Sequence, residues 1–135
     1  MFLSLLNKKE QLKFLDLALY MVDIDGSATE LESILLDKMF HEVGHLTSDY
    51  SFVNSDSIET TIDFFKKTNR VVKNIVFLNL VNISMSEDLY NTTEHLFLEK
   101  IQKIFDITPD RRRELMSIIY DERDLRERAS RIIKE

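Results

Sequence analysis

Residues 71–83, VVKNIVFLNLVNI, decide the fold class of this chain. The segment is rich in β-branched residues, which favour strands, but its inward positions also recur at the three- and four-residue spacing of one helix face. Those positions are Val72, Ile75, Val76, Asn79, Leu80 and Ile83. Because no other segment has the pattern of a partner strand, we interpret residues 71–83 as a buried central helix.

The composition of the whole chain agrees with a helical fold. The 135 residues include only two glycines and one proline, whereas a β-rich fold needs many turn residues. A hydrophobic fraction of 44% and a charged fraction of 31% are typical of a globular domain with its own core. We therefore predict one all-α domain over residues 1–135, a compact bundle of about six to seven helices.

Capping signals divide the first half of the chain into helices. Asn7, with Glu10 three residues later, predicts a capping box for a helix that runs to about Val22. Thr29 and Glu32 predict a second capping box, and Gly44 is suited to end that second helix. The predicted inward stripe of the second helix consists of Leu31, Ile34, Leu35, Met39 and Val43.

Similar signals continue through the second half. Asp56 is the predicted cap of a short helix that ends near Lys67, and Asn91 is the predicted cap of a later one. Thr108 followed by Pro109 predicts the start of another helix. The Arg-rich extension at 111–135 continues the same domain, and from about residue 124 its predicted inward residues are Leu125, Ala129 and Ile132.

The charge balance restricts the partners of the chain. A net charge of −6 argues against nucleic acid, which requires a basic surface. Residues 1–110 contain 18 acidic and 10 basic side chains, whereas residues 111–135 contain 6 acidic and 8 basic ones. The extension is therefore either a docking element for an acidic partner or an exposed helix face with internal ion pairs.

The chain has no cysteine and no long apolar run. The absence of cysteine excludes disulfides and thiolate metal sites and fits a reducing cytoplasm. The apolar start at 1–6 is too short for a signal peptide or a membrane span, so we expect no membrane insertion.

Two segments repeat one pattern. Thr29-x-x-Glu32 is followed at offsets of three, four and seven residues by apolar side chains, and Asn91-x-x-Glu94 is followed at the same offsets by Phe97, Leu98 and Ile101. This agreement predicts two helical halves related by a pseudo-twofold axis. Chance matching of two amphipathic helices is the alternative explanation.

The order of these motifs resembles the TerB-like family, named for the tellurite-resistance protein TerB. The resemblance spans roughly residues 10–110 and rests on Ile24-Asp-Gly26, Thr29-Glu-Leu-Glu32 and the stretch from Glu94 to Phe105-Asp-Ile-Thr108. Glu87-Asp88 stands where the family pattern has Asp-Gly. The resemblance implies two pseudo-symmetric halves and a non-enzymatic cytoplasmic binding module of stress, tellurite-resistance or defence systems. It also implies a protein partner, often in membrane-linked complexes.

The resemblance further implies an acidic cluster between the two halves that binds a divalent cation such as Ca²⁺, Mg²⁺ or Mn²⁺. By position, the candidate metal ligands are Asp25, Glu32, Glu87, Asp88 and Glu94. Carboxylates gathered in this way repel one another unless a cation neutralises them, and hard cations prefer such oxygens. The alternative is that Glu32 and Glu94 only cap their own helices.

One sequence motif favours a different function. His41-Glu-Val-Gly-His45 matches the H-E-x-x-H pattern in which two histidines on one helix face bind Zn²⁺ and the glutamate activates water. Ser48 and Ser51 stand where an extended zinc-peptidase motif has Gly and His, and Glu59 is a conceivable third ligand. A small zinc peptidase is therefore one alternative function, and a metal-free interaction adaptor that docks through 111–135 is another.

Overall fold

The computed structural model describes residues 1–24, 29–44, 57–86 and 92–135. Every regular element within these ranges is helical, which confirms the all-α fold and the expected number of helices. A short 3-10 turn at Leu3–Leu5 precedes six α-helices, which are α1 Lys8–Asp23, α2 Glu30–Glu42, α3 Ile58–Lys66, α4 Arg70–Ser84, α5 Thr92–Ile104 and α6 Pro109–Lys134. The pseudo-twofold relation of two halves stays a prediction.

Helix α4 is the buried central helix that its sequence predicts. Its side chains are buried on nearly every face, and it packs against α1, α3, α5 and α6. A helix surrounded in this way must be apolar all round, which explains why tertiary packing outweighs the strand preference of its β-branched residues. Among the helices in the described ranges, none is both long enough and apolar enough to cross a membrane.

The N-terminal caps of α1 and α2 form as predicted. The Asn7 side chain accepts a hydrogen bond from the Glu10 backbone N–H at 2.8 Å, and Glu10 Oε1 accepts one from the Asn7 N–H at 2.8 Å. Thr29 and Glu32 make the same reciprocal pair at the start of α2. At the other end of α2, Gly44 has φ +77°, a left-handed conformation that suits glycine and ends the helix.

The start of α3 differs by one residue from the prediction. Ser57, not Asp56, is the N-cap, and its Oγ accepts a hydrogen bond from the Thr60 backbone N–H at 3.2 Å. The predicted cap Asp56 lies outside the described residues. Ser and Asp are equally good caps, so cap preference alone does not choose between neighbouring candidates.

Helix α6 is one continuous helix of 26 residues, and its last part does not turn inward as predicted. Leu125 is 64% exposed and Ile132 60% exposed, and Ala129 is exposed as well. Only Leu115 and Ile119, in its first half, are buried. At about 1.5 Å per residue, α6 is roughly 39 Å long, whereas α1 is roughly 24 Å long, so α6 extends past the helices that cover its start.

The inward stripe predicted for α2 is also partly wrong. Met39 and Val43 are buried, but Leu31 is 53% and Ile34 is 46% exposed. Helix α2 packs mainly against α1 and the 3-10 turn, so only one side of it is covered. Leu31 and Ile34 lie on the uncovered side because a helix at the edge of a bundle buries a narrower stripe than a central one.

Candidate functional site

The described ranges include two of the five predicted metal ligands, Glu32 and Glu94. Asp25, Glu87 and Asp88 lie outside the described residues. Glu32 is 5% exposed in the first turn of α2, and Glu94 is 4% exposed in the first turn of α5. Fully buried glutamates are rare unless something compensates their charge, so the burial of both is the first indication of a functional role.

The hydrogen bonds of Glu32 use only one of its two carboxylate oxygens. Glu32 Oε1 accepts from the Thr29 N–H at 3.1 Å and from the Thr29 hydroxyl at 3.0 Å. Glu32 Oε2 is buried and has no hydrogen-bond partner within the described ranges. Leaving one oxygen of a buried carboxylate unsatisfied is costly, so this atom is available to a further ligand.

Glu10 provides an internal comparison, because it occupies the same capping-box position in α1. Its carboxylate accepts from the Asn7 N–H just as that of Glu32 accepts from the Thr29 N–H. Glu10, however, is only partly buried, whereas Glu32 is nearly inaccessible. Capping therefore accounts for the glutamate at this position but does not require its burial.

Packing places the start of α5 at the C-terminal end of α1, and the start of α2 follows the same end along the chain. The Tyr20 ring, in the last turns of α1, lies 5.1 Å from the Phe97 ring, which is one turn after Glu94. Helix α2 begins with the cap Thr29, only a few residues after α1 ends at Asp23. The start of α5, with Glu94, therefore lies near the C-terminal end of α1, and the start of α2, with Glu32, follows that end along the chain.

The electrostatics of that end favour a cation. The C-terminal end of a helix carries the negative pole of the helix dipole, and the last turn of α1 contains no basic residue. The described residues alone contain no group of three His, Asp or Glu side chains placed to hold a metal ion. A complete site thus depends on the predicted ligands Asp25, Glu87 and Asp88.

The zinc-binding motif at 41–45 is interrupted by the end of α2. The helix ends at Glu42, and the Gly44 N–H bonds to the His41 carbonyl oxygen at 3.1 Å in a terminating turn. His41 is exposed, and His45 lies outside the described residues. Since α2 stops before position 45, it does not provide the continuous helical face on which the motif depends.

The acidic residues of that motif are engaged in other contacts. Glu42 Oε2 binds the Met1 α-ammonium at 2.9 Å, and Glu42 Oε1 accepts from the Leu3 backbone N–H at 2.9 Å. Glu59, the conceivable third ligand, pairs with Lys100 at 2.7 Å. These contacts give the zinc-peptidase alternative no support.

A polar contact that sequence reasoning did not find joins the start of the chain to α4. Asn79 is fully buried; its Nδ2 donates to the carbonyl oxygens of Met1 and Ile75, both at 2.8 Å, and its Oδ1 accepts from the Met1 ammonium at 2.9 Å. A polar residue among the apolar inward positions of α4 was the available signal. Its partner lies 78 residues away, a separation that local patterns do not reveal.

A groove of about 500 Å³ lies between α2 and α6 and was also not predicted. Leu31, Ile34 and Leu35 line it from α2, and Ile119 lines it from α6. Charged side chains, among them Lys38 and Arg126, lie around these apolar residues. We call this feature the α2–α6 groove.

Comparisons with family models, curated proteins and solved structures give no match to this chain. The TerB-like resemblance therefore rests on the sequence motifs alone and stays a prediction. The features of the described residues that bear on function are the two buried glutamates and the α2–α6 groove.

Proposed function

We propose that this chain is a non-enzymatic binding module that holds a divalent cation, Ca²⁺, Mg²⁺ or Mn²⁺, in an acidic cluster. The proposed ligands are Asp25, Glu32, Glu87, Asp88 and Glu94. The observation that carries the proposal is the buried Glu32 Oε2, which has no hydrogen-bond partner in the part of the chain that the structure describes. A cation bound to this oxygen would compensate both its charge and its missing hydrogen bond.

The chemistry of the cluster favours hard cations. All five proposed ligands are carboxylates, which suit Ca²⁺, Mg²⁺ and Mn²⁺ better than they suit soft metals. Glu32 and Glu94 supply oxygens from two helices, so a bound ion would link α2 to α5. Because the two glutamates are buried, such a link would stabilise the fold as well as bind the ion.

The TerB-like resemblance suggests the setting of this activity. It favours a cytoplasmic role in stress, tellurite-resistance or defence systems, in which the module acts through a protein partner. An ion bound to both Glu32 and Glu94 would stabilise the starts of α2 and α5. This change in stability would in turn alter the affinity of the module for its partner.

The test is thermal unfolding of the chelator-treated protein with Ca²⁺, Mg²⁺, Mn²⁺ or Zn²⁺ added singly. An ion at one hundred times its dissociation constant adds about 2.7 kcal/mol to the free energy of unfolding. We expect at least one of the three hard cations to raise the melting temperature. Glu32→Gln should abolish that rise while keeping the cap, because glutamine also serves at this position of a capping box.

Glu10→Gln is the matched control, since it makes the same chemical change in the same motif of α1. It should leave the cation effect intact. If no hard cation raises the melting temperature, or if the rise persists in Glu32→Gln, the proposed site is wrong. A rise with Zn²⁺ alone that is lost in His41→Ala would instead favour the zinc-peptidase alternative.

The metal-free adaptor is a second candidate, favoured by the exposed apolar residues of α6. Leu125, Ile132 and Ile133 are each at least 60% exposed. An adaptor should bind its partner without any cation effect. Removing residues 123–135 should abolish partner binding and leave the fold intact, because this removes no buried side chain.

A further inference from the structure

We propose that this chain forms a symmetric dimer in which two α6 helices pair in antiparallel orientation, with the two Leu125 side chains meeting at the twofold axis. The contact surface is the outer α6 stripe, which we define as Ile118, Leu125 and Ile132. None of these three residues lines the α2–α6 groove. The proposal does not rest on the proposed cation site.

The outer α6 stripe is an apolar line along one side of the helix. Its residues are seven positions apart, so each lies two turns from the next and is rotated by only about 20°. In order along the chain they are 45%, 64% and 60% exposed. The buried residues of α6, Leu115 and Ile119, face the bundle instead. Three exposed aliphatic side chains in one line of roughly 21 Å are suited to pack against a second helix.

The charges beside the outer α6 stripe change sign at Leu125. Asp121 and Glu122 flank the stripe before Leu125, and Arg126 and Arg128 flank it after Leu125. Glu122 and Arg126 form an ion pair within the chain. Asp121 and Arg128 are exposed and have no ion pair among the described residues. They are seven residues apart, rather than the three or four that bring side chains together on one helix.

An antiparallel pair centred on Leu125 brings these two charges together. Ile118 of one copy then lies opposite Ile132 of the other, because both are seven residues from the centre. Asp121 of one copy lies within one residue, roughly 1.5 Å along the axis, of Arg128 of the other. The same contact forms twice by symmetry. A parallel pair would place like charges side by side, so the charges select the antiparallel orientation.

The balance of these charges identifies a second copy of the chain as the partner. The four flanking residues are two acidic and two basic ones. A helix that binds an anionic membrane surface has mainly basic residues beside its apolar side, so this balance disfavours a membrane. A strongly acidic or strongly basic protein would be repelled by one half of the pattern. A second copy running in the opposite direction is complementary to both halves.

The length of α6 leaves room for this pairing. Leu115 and Ile119 attach the first half of the helix to the bundle, whereas residues 120–134 include no buried side chain. In an antiparallel pair the two bundles therefore lie toward opposite ends. Because only about 21 Å of each helix is in contact, the interface is small, and we expect a dissociation constant in the micromolar range.

The first test is the mass of the full chain in solution, measured by sedimentation velocity over a range of concentrations. We expect a species of twice the 16.0 kDa chain mass. Leu125→Asp should weaken the dimer at least about tenfold. Tyr120→Asp is the matched control and should leave the dimer intact, because Tyr120 is 49% exposed on the same helix but about 140° around it from Leu125.

The second test reverses the charges beside the stripe. Asp121→Arg and Arg128→Asp should each weaken the dimer about tenfold, because each replaces two attractive contacts with two repulsive ones. The protein with both substitutions should regain the wild-type affinity, because the two contacts form again with their signs exchanged. Both residues are exposed, so loss of folding would not produce this recovery.

The third test determines the orientation and uses the absence of cysteine from the chain. An equimolar mixture of the Ile118→Cys and Ile132→Cys proteins should form a mixed disulfide under mild oxidation. Each protein alone should form a disulfide much more slowly, because the antiparallel register places its two cysteines far apart. A parallel pair would give the opposite order of rates.

Four results would overturn the proposal. One is a monomeric wild-type chain at about 200 µM, well above the dissociation constants of ordinary specific dimers. Another is a dimer that Leu125→Asp leaves unchanged, and a third is failure of the double charge reversal to restore the affinity. The fourth is binding of a monomeric chain to vesicles of phosphatidylserine and phosphatidylcholine that is lost in Leu125→Asp, which would assign the stripe to a membrane surface instead.

Discussion

The contact of Met1 with Glu42 and Asn79 gives a prediction whose size follows from the structure. Asn79→Ala removes three hydrogen bonds at 2.8–2.9 Å and leaves a small cavity at a fully buried position of α4. At about 1 kcal/mol per hydrogen bond, the free energy of unfolding should fall by roughly 3 kcal/mol. Glu42→Gln keeps an acceptor but loses the charge, and because Glu42 is partly exposed its cost should be only about 1 kcal/mol.

The two substitutions should not be additive. Asn79 and Glu42 bind the same ammonium group, so losing either one loosens the contact with the other. In a double-mutant cycle we expect a coupling energy of about 0.5–1.5 kcal/mol, measured by urea unfolding followed by circular dichroism. Asp37→Ala, an exposed acidic residue on the same helix as Glu42, is the control and should change stability by less than about 0.5 kcal/mol.

Additive effects would refute this account, since they would mean that Asn79 and Glu42 do not share a partner. A Zn²⁺-dependent peptidase activity that is lost in Glu42→Gln, with unchanged stability, would refute it differently by returning Glu42 to a catalytic role. The cycle therefore distinguishes a glutamate that anchors the start of the chain from one that activates water.

Two further predictions concern the ends of helices. Asp106 follows α5 with φ +57°, a left-handed conformation that glycine adopts more easily than aspartate. The helix ends there in a turn in which the Ile107 N–H bonds to the Gln102 carbonyl oxygen and the Asp106 N–H to the Lys103 carbonyl oxygen. Asp106→Gly should therefore raise the free energy of unfolding by about 1 kcal/mol. Gly44→Ala should lower the free energy of unfolding by about the same amount through backbone strain, because an added Cβ would meet no atom of the described residues within 4 Å. Urea unfolding of both variants checks this pair of predictions, and changes of the same sign would contradict the reasoning. Because Ser57 caps α3, Ser57→Ala should lower the free energy of unfolding by about 1 kcal/mol, whereas Asp56→Ala should change it very little. Thermal unfolding of the two variants checks this, and a larger loss in Asp56→Ala would identify Asp56 as the cap.

Local sequence signals were sufficient for most of the helical architecture. The capping boxes at Asn7 and Thr29 and the Thr108-Pro109 start depend on residues close together in the chain, so their chemistry can be read directly. The central helix α4 was predictable because an apolar segment without a partner strand must be buried as a helix. These features are determined within a few residues of one another.

The errors arose where distant parts of the molecule decide the outcome. Leu125 and Ile132 are spaced as residues of one helix face, yet both are exposed because α6 is longer than the helices beside it. Leu31 is exposed for a related reason, because α2 lies at the edge of the bundle. Helical periodicity identifies an apolar side, but it does not say whether the same chain covers that side.

The candidate metal site shows the same division between local and distant causes. The TerB-like resemblance implied Glu32 and Glu94 as candidate ligands, and their burial emerged only from the tertiary packing. It did not anticipate that one Glu32 oxygen would bond to Thr29 while the other is buried without a partner in the described ranges. Capping chemistry is local, whereas the environment of the second oxygen depends on the tertiary fold.

The pair Glu10 and Glu32 isolates what the fold adds to a shared motif. Both cap a helix through the same two reciprocal hydrogen bonds, so their local contributions to stability are alike. Of the two, only Glu32 carries the additional cost of a buried carboxylate oxygen that has no hydrogen-bond partner among the described residues. In chelated protein, therefore, Glu32→Gln should be neutral or stabilising, since it removes a buried charge and retains the cap. A residue that destabilises the cation-free protein but is required for stabilisation by the cation behaves as expected of a binding residue, because binding sites are often kept at a cost in stability. If the Glu32→Gln protein is instead less stable than wild type under chelation, the carboxylate stabilises the cation-free protein. A structural role would then be enough to explain why Glu32 is buried.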